Sequence, residues 1–262
     1  MKKKLNILLL IFTLASLLCL CGYFIYDYSH SKLNDVNLTL LRNGENGFLD
    51  YQEVYKAIID VCDTAKNTRV VMIPVDSVVD RLNSIPWITY ANAELNLKSC
   101  LEVKVKECEP IMRVYNKKGK SVYLDEDGNI FSTDNDYVLH LLVGSGNVNF
   151  PINEKGHVND ENYSDTDLPE MFALMKEIVH DDYARTCVKQ VFKDKNKNYV
   201  FSLNNTNIIV IFGDVNNIKE KLFKMRHFFN KMQGSPELEN YKEINLNYKN
   251  QVVCTKKKNK KI

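Results

Sequence analysis

The 262-residue sequence predicts an α+β protein with one N-terminal transmembrane helix, a small β-α-α-β-β module and a mostly antiparallel β body carrying two amphipathic helices. Three observations predict it. Leu5 to Tyr26 is a 22-residue run without charge. Ser84 to Met112 alternates apolar and polar residues with period two on both sides of a short break, the pattern of a hairpin with one wet face. After Ile111, short alternating runs separated by turn residues are interrupted by two stripes of helical period.

The chain begins with a basic stretch at 1–4, Lys2, Lys3 and Lys4. As a helix, the apolar run at 5–26 reaches ~33 Å, enough for a hydrocarbon core of roughly 30 Å. No small-x-small site follows it, and Leu precedes both Cys19 and Cys21, so it reads as a retained anchor rather than a cleaved signal. Lys2, Lys3 and Lys4 before it and Asp27 after it orient the N-terminus toward the cytoplasm. Residues 27–34 form a polar linker.

The small module is expected over 35–107. Val36 to Leu41 reads as a strand and Arg42 to Gly47 as a turn. Asp50 with Glu53 makes a capping box for a helix to residue 62, striped by Tyr51, Val54, Ile58 and Val61. A second helix follows Pro74 and Asp76, turns Val78, Val79 and Leu82 inward, and is stopped by Pro86, which places Trp87 at the helix-to-strand corner. The first hairpin strand puts Ala91, Ala93, Leu95 and Leu97 on one face. The second does the same with Leu101, Val103 and Val105 while Glu102, Lys104 and Lys106 face water, and Glu109 and Pro110 close it.

The body is expected over 108–254. Arg113 to Tyr115 and Val122 to Leu124 read as strands, with Asp127-Gly128 turning into Ile130 and Phe131. Asp125, Asp127 and Asn129 resemble a calcium loop, but Ile130 stands where such a loop needs Gly, so the turn explains them. Val138 to Val143 is an apolar strand and Ser145 to Asp167 a long polar surface loop. Asp167 with Glu170 caps a helix striped by Met171, Leu174, Met175 and Ile178. Three strands at 188–192, 199–203 and 208–212 lead to a second helix with Ile218, Leu222, Met225, Phe229 and Met232 inward, stopped by Gly234, Ser235 and Pro236. Ile244, Leu246 and Tyr248 then alternate with Glu243, Asn245 and Asn247, and a basic tail occupies 255–262.

The formal charge of +2 conceals three N-terminal and five C-terminal lysines, which leaves 5–255 near −6 and argues against a nucleic-acid surface. Of the seven cysteines, Cys19 and Cys21 fall in the span. Cys100 and Cys108 bracket one strand ~26 Å long, beyond disulfide reach. No spacing suggests zinc, so no metal, cofactor or disulfide framework is expected. The five histidines share no recurring offset, and no nucleophile elbow, zinc helix or phosphate loop occurs. The acids Asp125, Asp127, Asp181 and Asp182 carry no spacing that separates a catalytic pair from a turn. The chain therefore reads as a non-enzyme.

LNSIPWI at 82–88, the hairpin Ala91 to Val105, Glu107 to Ile111, YLDEDGNIF at 123–131, IFGDVNNIKEKL at 211–222 and YKEINLNY followed by NQVV carry a resemblance over nearly the whole chain. In this order they resemble the bacterial cell-division family FtsQ/DivIB, and the first module resembles a POTRA domain. The sequence departs from the family at Cys108, where arginine is usual, and at LHLLVG, which lacks its prolines. The resemblance implies a non-enzymatic divisome scaffold of the bacterial inner membrane, with a cytoplasmic N-terminus, a periplasmic bulk and a concentration at the septum. Its implied partners are FtsB-like and FtsL-like coiled-coil proteins, more distantly FtsW-, FtsI- and FtsK-like ones, and membrane lipid. The partner contact implied is strand addition at the C-terminal sheet edge, through Tyr241, Glu243, Asn245, Asn247, Tyr248 and Val252. For Ile244, Leu246 and Tyr248 inward burial is the simpler expectation. Pro86, Trp87, Glu109 and Pro110 form the structural corner of the POTRA-like module. Two other readings remain open: a membrane-anchored envelope enzyme with a dispersed site, and a POTRA protein of outer-membrane assembly or secretion.

Overall fold

The computed structural model describes residues 2–42, 49–62, 69–132, 139–153, 155–204 and 206–257. Most of the turn expected at 42–47, the start of the strand expected at Val138, and the tail beyond Lys257 lie outside them. The chain divides into two units, Met1–Cys108 and Glu109–Ile262.

In the first unit, helix α1 (Lys2–His30) carries the apolar run. It does not end at Tyr26 as expected. The helix continues through Asp27 to His30, where Ser29 and His30 bond back to the Tyr26 carbonyl, so the polar linker shortens to 31–34. Strand β1 (Asp35–Leu41) is followed by α2 (Tyr51–Cys62), a 3₁₀ turn at Val70–Met72, α3 (Val75–Asn83), β2 (Ile88–Leu95) and β3 (Cys100–Glu107). The sheet order is β1-β3-β2, with β1 parallel and β2 antiparallel to the central β3.

Period two decides the central strand: Leu101, Val103 and Val105 are fully buried while Glu102, Lys104 and Lys106 face solvent. The helices supply Val54, Ala57, Ile58, Val78 and Leu82 to the same core. Asp50 starts α2 by accepting from Gln52 N at 2.8 Å. Several expected inward residues differ, Val61 and Leu95 being only half-buried. Tyr51 lies at the surface stacked on Tyr55, and Ala57 takes the inward place. Val79 is half-buried. Leu97 belongs to the hairpin turn rather than to β2, because Asn96 Oδ1 accepts from both Lys98 N and Cys100 N and the strand ends at Leu95.

The second unit contains β4 (Pro110–Tyr115), β5 (Ser121–Asp125), β6 (Asn129–Ser132), β7 (Leu142–Gly146), β8 (Lys155–His157), α4 (Glu161–Ser164), α5 (Leu168–His180) and α6 (Ala184–Cys187). Then come β9 (Val188–Lys193), β10 (Tyr199–Leu203), β11 (Ile209–Gly213), α7 (Ile218–Met232), a 3₁₀ turn at Pro236–Asn240, β12 (Tyr241–Asn245) and β13 (Val253–Lys256). All ten strands form one sheet in the order β13-β12-β11-β10-β9-β7-β4-β5-β6-β8. The neighbours β11/β12, β7/β9 and β4/β7 run parallel and the other pairs antiparallel.

Pro110 opens β4 instead of closing β3, a position where its missing N–H costs no ladder bond. Helix α5 buries Met171, Leu174, Met175 and Ile178 completely. It approaches β7 so closely that a Cβ at Gly144 would fall 2.7 Å from Met175 Sδ and would have to displace that side chain. The segment 145–167 is not a surface loop. Val148, Phe150, Val158 and Tyr163 are buried in the core, and β8 extends the sheet beside β6. Its many polar residues form turns between these anchors.

Asp167 and Glu170 do not form the expected capping box. Their carboxylates accept from Lys193 Nζ at 3.0 and 2.8 Å, while Asp167 also accepts from Asn149 N. The lysine side chain is 3% exposed and lies over the Tyr199 ring. Burial alone would depress its pKa, but the two carboxylates hold it above the usual lysine value. Burial likewise works to raise Asp167, and the Asn149 N–H and Lys193 outweigh it and leave the carboxyl below its ordinary value. A buried cation on β9 thus selects where both acids point.

Candidate functional site

The end of the second unit assembles from a sheet margin and a helix. Strand β12 is built on Ile244, which is fully buried, and Leu246, just past its end, is buried too. β12 pairs parallel with β11 on one side and antiparallel with β13 on the other. It is therefore not the margin: the sheet edge is β13.

The backbone shows which groups that edge offers. Leu246 N donates to Ile211 O, so Leu246 and Ile244 turn their backbone groups toward β11, and Glu243 and Asn245 turn theirs toward β13. Glu243 faces Thr255 and Asn245 faces Val253, while Lys257 N donates inward to Asn240 O. By the alternation of a strand, the backbone groups of Cys254 and Lys256 face outward. Among the described residues nothing pairs with them. Burial pushes the Cys254 thiol pKa up, so that side chain is a packed thiol rather than a reactive one.

Helix α7 braces this margin. Lys224 Nζ donates to Leu246 O and Tyr248 O, each at 2.9 Å, which pins the turn between β12 and β13. Lys221, itself buried, bonds Asp214 through both its carboxylate and its carbonyl, and locks the start of α7 to the end of β11. That ammonium holds the Asp214 carboxyl below its usual pKa. Phe223, Phe228, His227, Lys231, Asn250 and Val252 line a cavity of about 440 Å³ beside the turn. Exposed Phe223, Tyr248 and Val253 add apolar surface to the same margin.

The residues expected to form a partner-binding edge fall as follows. Tyr241, Glu243 and Asn245 lie on β12, an interior strand, with the Tyr241 ring edge-on to Phe228. Asn247 lies against Gly213, where an added Cβ would come within 2.5 Å of Asn247 Oδ1. Tyr248 is exposed in the turn, contrary to the inward expectation, because the strand ends at Asn245. Val252 is half-buried in the cavity wall. The expectation is thus displaced by one strand, since β13 takes the outer place. Sequence reasoning missed Phe223, Phe228, Lys224, Cys254 and Lys256. An aromatic off the inward stripe of a basic helix, Phe223, was the available signal.

At the other expected positions, Trp87 is buried and its carbonyl accepts from Cys108 N at 3.0 Å. Pro86 is half-buried next to it. Glu109 and Pro110 fall in the second unit. The orientation expected from Lys2, Lys3 and Lys4 concerns side chains outside those described.

The acids considered for chemistry are engaged locally. Asp125 accepts from Asp127 N and Asn129 N, Asp181 from Tyr183 N and Ala184 N, and Asp182 pairs with Arg185. His157 contacts Asp127 O and His180 contacts Glu126. Among the described residues no group of three or more His, Cys, Asp or Glu side chains is placed to hold a metal ion. Helix α1 contains the one described segment long and apolar enough to cross a membrane.

Residues 109–255 match the family model FtsQ/DivIB, C-terminal related. No curated protein matches the chain.

Proposed function

This chain belongs to the FtsQ/DivIB family, the matched region covering more than half of it, and from that premise we propose that it joins its partners by strand addition at β13. Members of the family are non-catalytic scaffolds of the division machinery, and this one is a single-pass membrane protein with a protein-interaction role in the divisome. Beyond that, the proposal places the N-terminus in the cytoplasm and both extracytoplasmic units at the septum. The first unit acts as a POTRA-like module over 35–107, and the body expected over 108–254 extends through Lys256, the end of β13, as the partner-binding unit, which shortens the basic tail expected at 255–262. The partners proposed are FtsB-like and FtsL-like coiled-coil proteins.

The observation that carries this reading is the open edge. The outward N–H and C=O groups of Cys254 and Lys256 offer main-chain bonds to an extended segment, and Phe223, Phe228 and Val252 offer a pocket for its side chains. Imaging a fluorescent fusion to the N-terminus in dividing native cells tests the placement. A band at the constriction is expected; uniform membrane signal through the whole cycle contradicts it.

A further inference from the structure

We infer that the hairpin tip and the 3₁₀ turn of the first unit rest in the bilayer interface, with Leu97, Val71 and Met72 dipping into lipid. Outside α1, the most exposed large apolar side chains among the first unit's described residues are Leu97 at 92%, Met72 at 66% and Val71 at 61%. Others sit elsewhere on the unit, Tyr90 and Leu41 among them.

These three residues gather at one end. Ser31 Oγ bonds Ser99 Oγ, Asn34 N donates to Ser99 O, and Asn34 Nδ2 donates to Lys98 O. On the other side Val70 N donates to Ser31 O, and Lys32 bridges Arg69. The hairpin tip and the 3₁₀ turn are thus both fastened to 31–34, the residues that leave α1. The strands lead away from there, since Asp35 pairs with Cys100 at the near end and Leu41 with Lys106 at the far end. Tyr90 also pairs with Lys106, which marks the far end.

Distance along α1 then places this end against the bilayer. The apolar run stops at Tyr26 and the helix continues to His30. Ser31 therefore stands about 7 Å beyond the run at 1.5 Å per residue, a rise matching the roughly 5–7 Å of headgroup region on one side of a bilayer. Neither turn is loose. Asn96 holds the hairpin tip through two backbone N–H groups, and fully buried Val70 anchors the 3₁₀ turn. Leu97 is displayed by a braced turn instead of being left out of the core by chance. Lys98 follows Leu97 in the chain, Arg69 precedes the 3₁₀ turn and bridges Lys32, and Asp27 and Asp35 flank 31–34, so basic and acidic groups nearly balance and apolar insertion rather than net charge drives the contact. The consequence is a first unit held at fixed height and tilt on the membrane.

The test uses the full chain reconstituted in phosphatidylcholine–phosphatidylglycerol vesicles with brominated acyl chains. Leu97→Trp, Met72→Trp and Tyr90→Trp are compared with the parent, whose buried Trp87 provides the common background. The added fluorescence of Leu97→Trp and Met72→Trp is expected to fall roughly twofold or more on bromination, as for a side chain at the acyl boundary. That of Tyr90→Trp is expected not to change. Absence of quenching at either 97 or 72, or equal quenching at 90, overturns the proposal and leaves a protein partner as the occupant of the tip.

Discussion

At one margin of the ten-stranded sheet, β8 is three residues long, and of the N–H groups it turns outward that of His157 is accepted by Asp160 Oδ2 at 2.7 Å. At the other margin, β13 is four residues long, and among the described residues its outward groups at Cys254 and Lys256 meet no acceptor or donor. The first edge is finished by its own chain, through the turn to α4. The second is left open and braced from behind by α7, with apolar side chains arranged beside it. A solvated edge strand is a hazard that proteins commonly blunt. A sheet that closes one edge and supports the other has the form expected if the open edge is used.

The open margin depends most on the packing beneath it. Ile244→Ala removes a fully buried anchor of β12, and is expected to cost about 2–4 kcal/mol in denaturant unfolding, with amide exchange in β12 and β13 accelerated more than in β8. Equal acceleration at both margins would mean that the two edges are not independently supported. Lys224→Ala releases the Leu246 and Tyr248 carbonyls. We expect a loss of about 1 kcal/mol and faster exchange confined to the turn and β13. Asp160→Ala should open the finished edge, with a loss of about 1 kcal/mol and a sharp rise in exchange at the His157 amide; an unchanged rate there would remove the distinction between the margins.

The smallest effect is a titration near the β8 side. The His180 ring donates from Nδ1 to the Lys176 carbonyl and from Nε2 to the Glu126 carboxylate, and these two acceptors raise its pKa above 6.5. A raised pKa means that its contribution is full below pH 6.5 and disappears as the pH rises through the folded value. NMR titration should give a His180 pKa that moves down in Glu126→Gln, with β13 resonances unaffected.

The elements with strong periodicity were legible in the sequence. Leu101, Val103 and Val105 fixed the face of β3, and the stripe of α5 from Met171 to Ile178 fixed which side meets the sheet. What the residues could not disclose was pairing across distance. The parallel joints β11/β12, β7/β9 and β4/β7 depend on contacts between remote segments, so the order that places β13 outside β12 was invisible and the expected edge lay one strand too far in. Composition misled at 145–167, where four buried side chains outweigh the surrounding Asn, Gly and Ser. Local rules misled at Asp167 and Glu170, whose spacing fits a cap but whose charge goes to Lys193, remote in sequence and buried. At Leu97, alternation cannot tell the last pleated residue from the first residue of a turn.

The central claim is that the outward backbone of β13 binds a partner. Lys256→Pro deletes one outward donor on an exposed residue and leaves the inward bonds of Thr255 and Lys257 in place. Lys256→Ala keeps the donor. Co-purification of each variant with the FtsB-like and FtsL-like proteins from native membranes is the direct measurement. The account predicts that Lys256→Pro loses them while Lys256→Ala retains them, both proteins remaining folded by circular dichroism. Retention of the partners by folded Lys256→Pro would contradict strand addition at this edge.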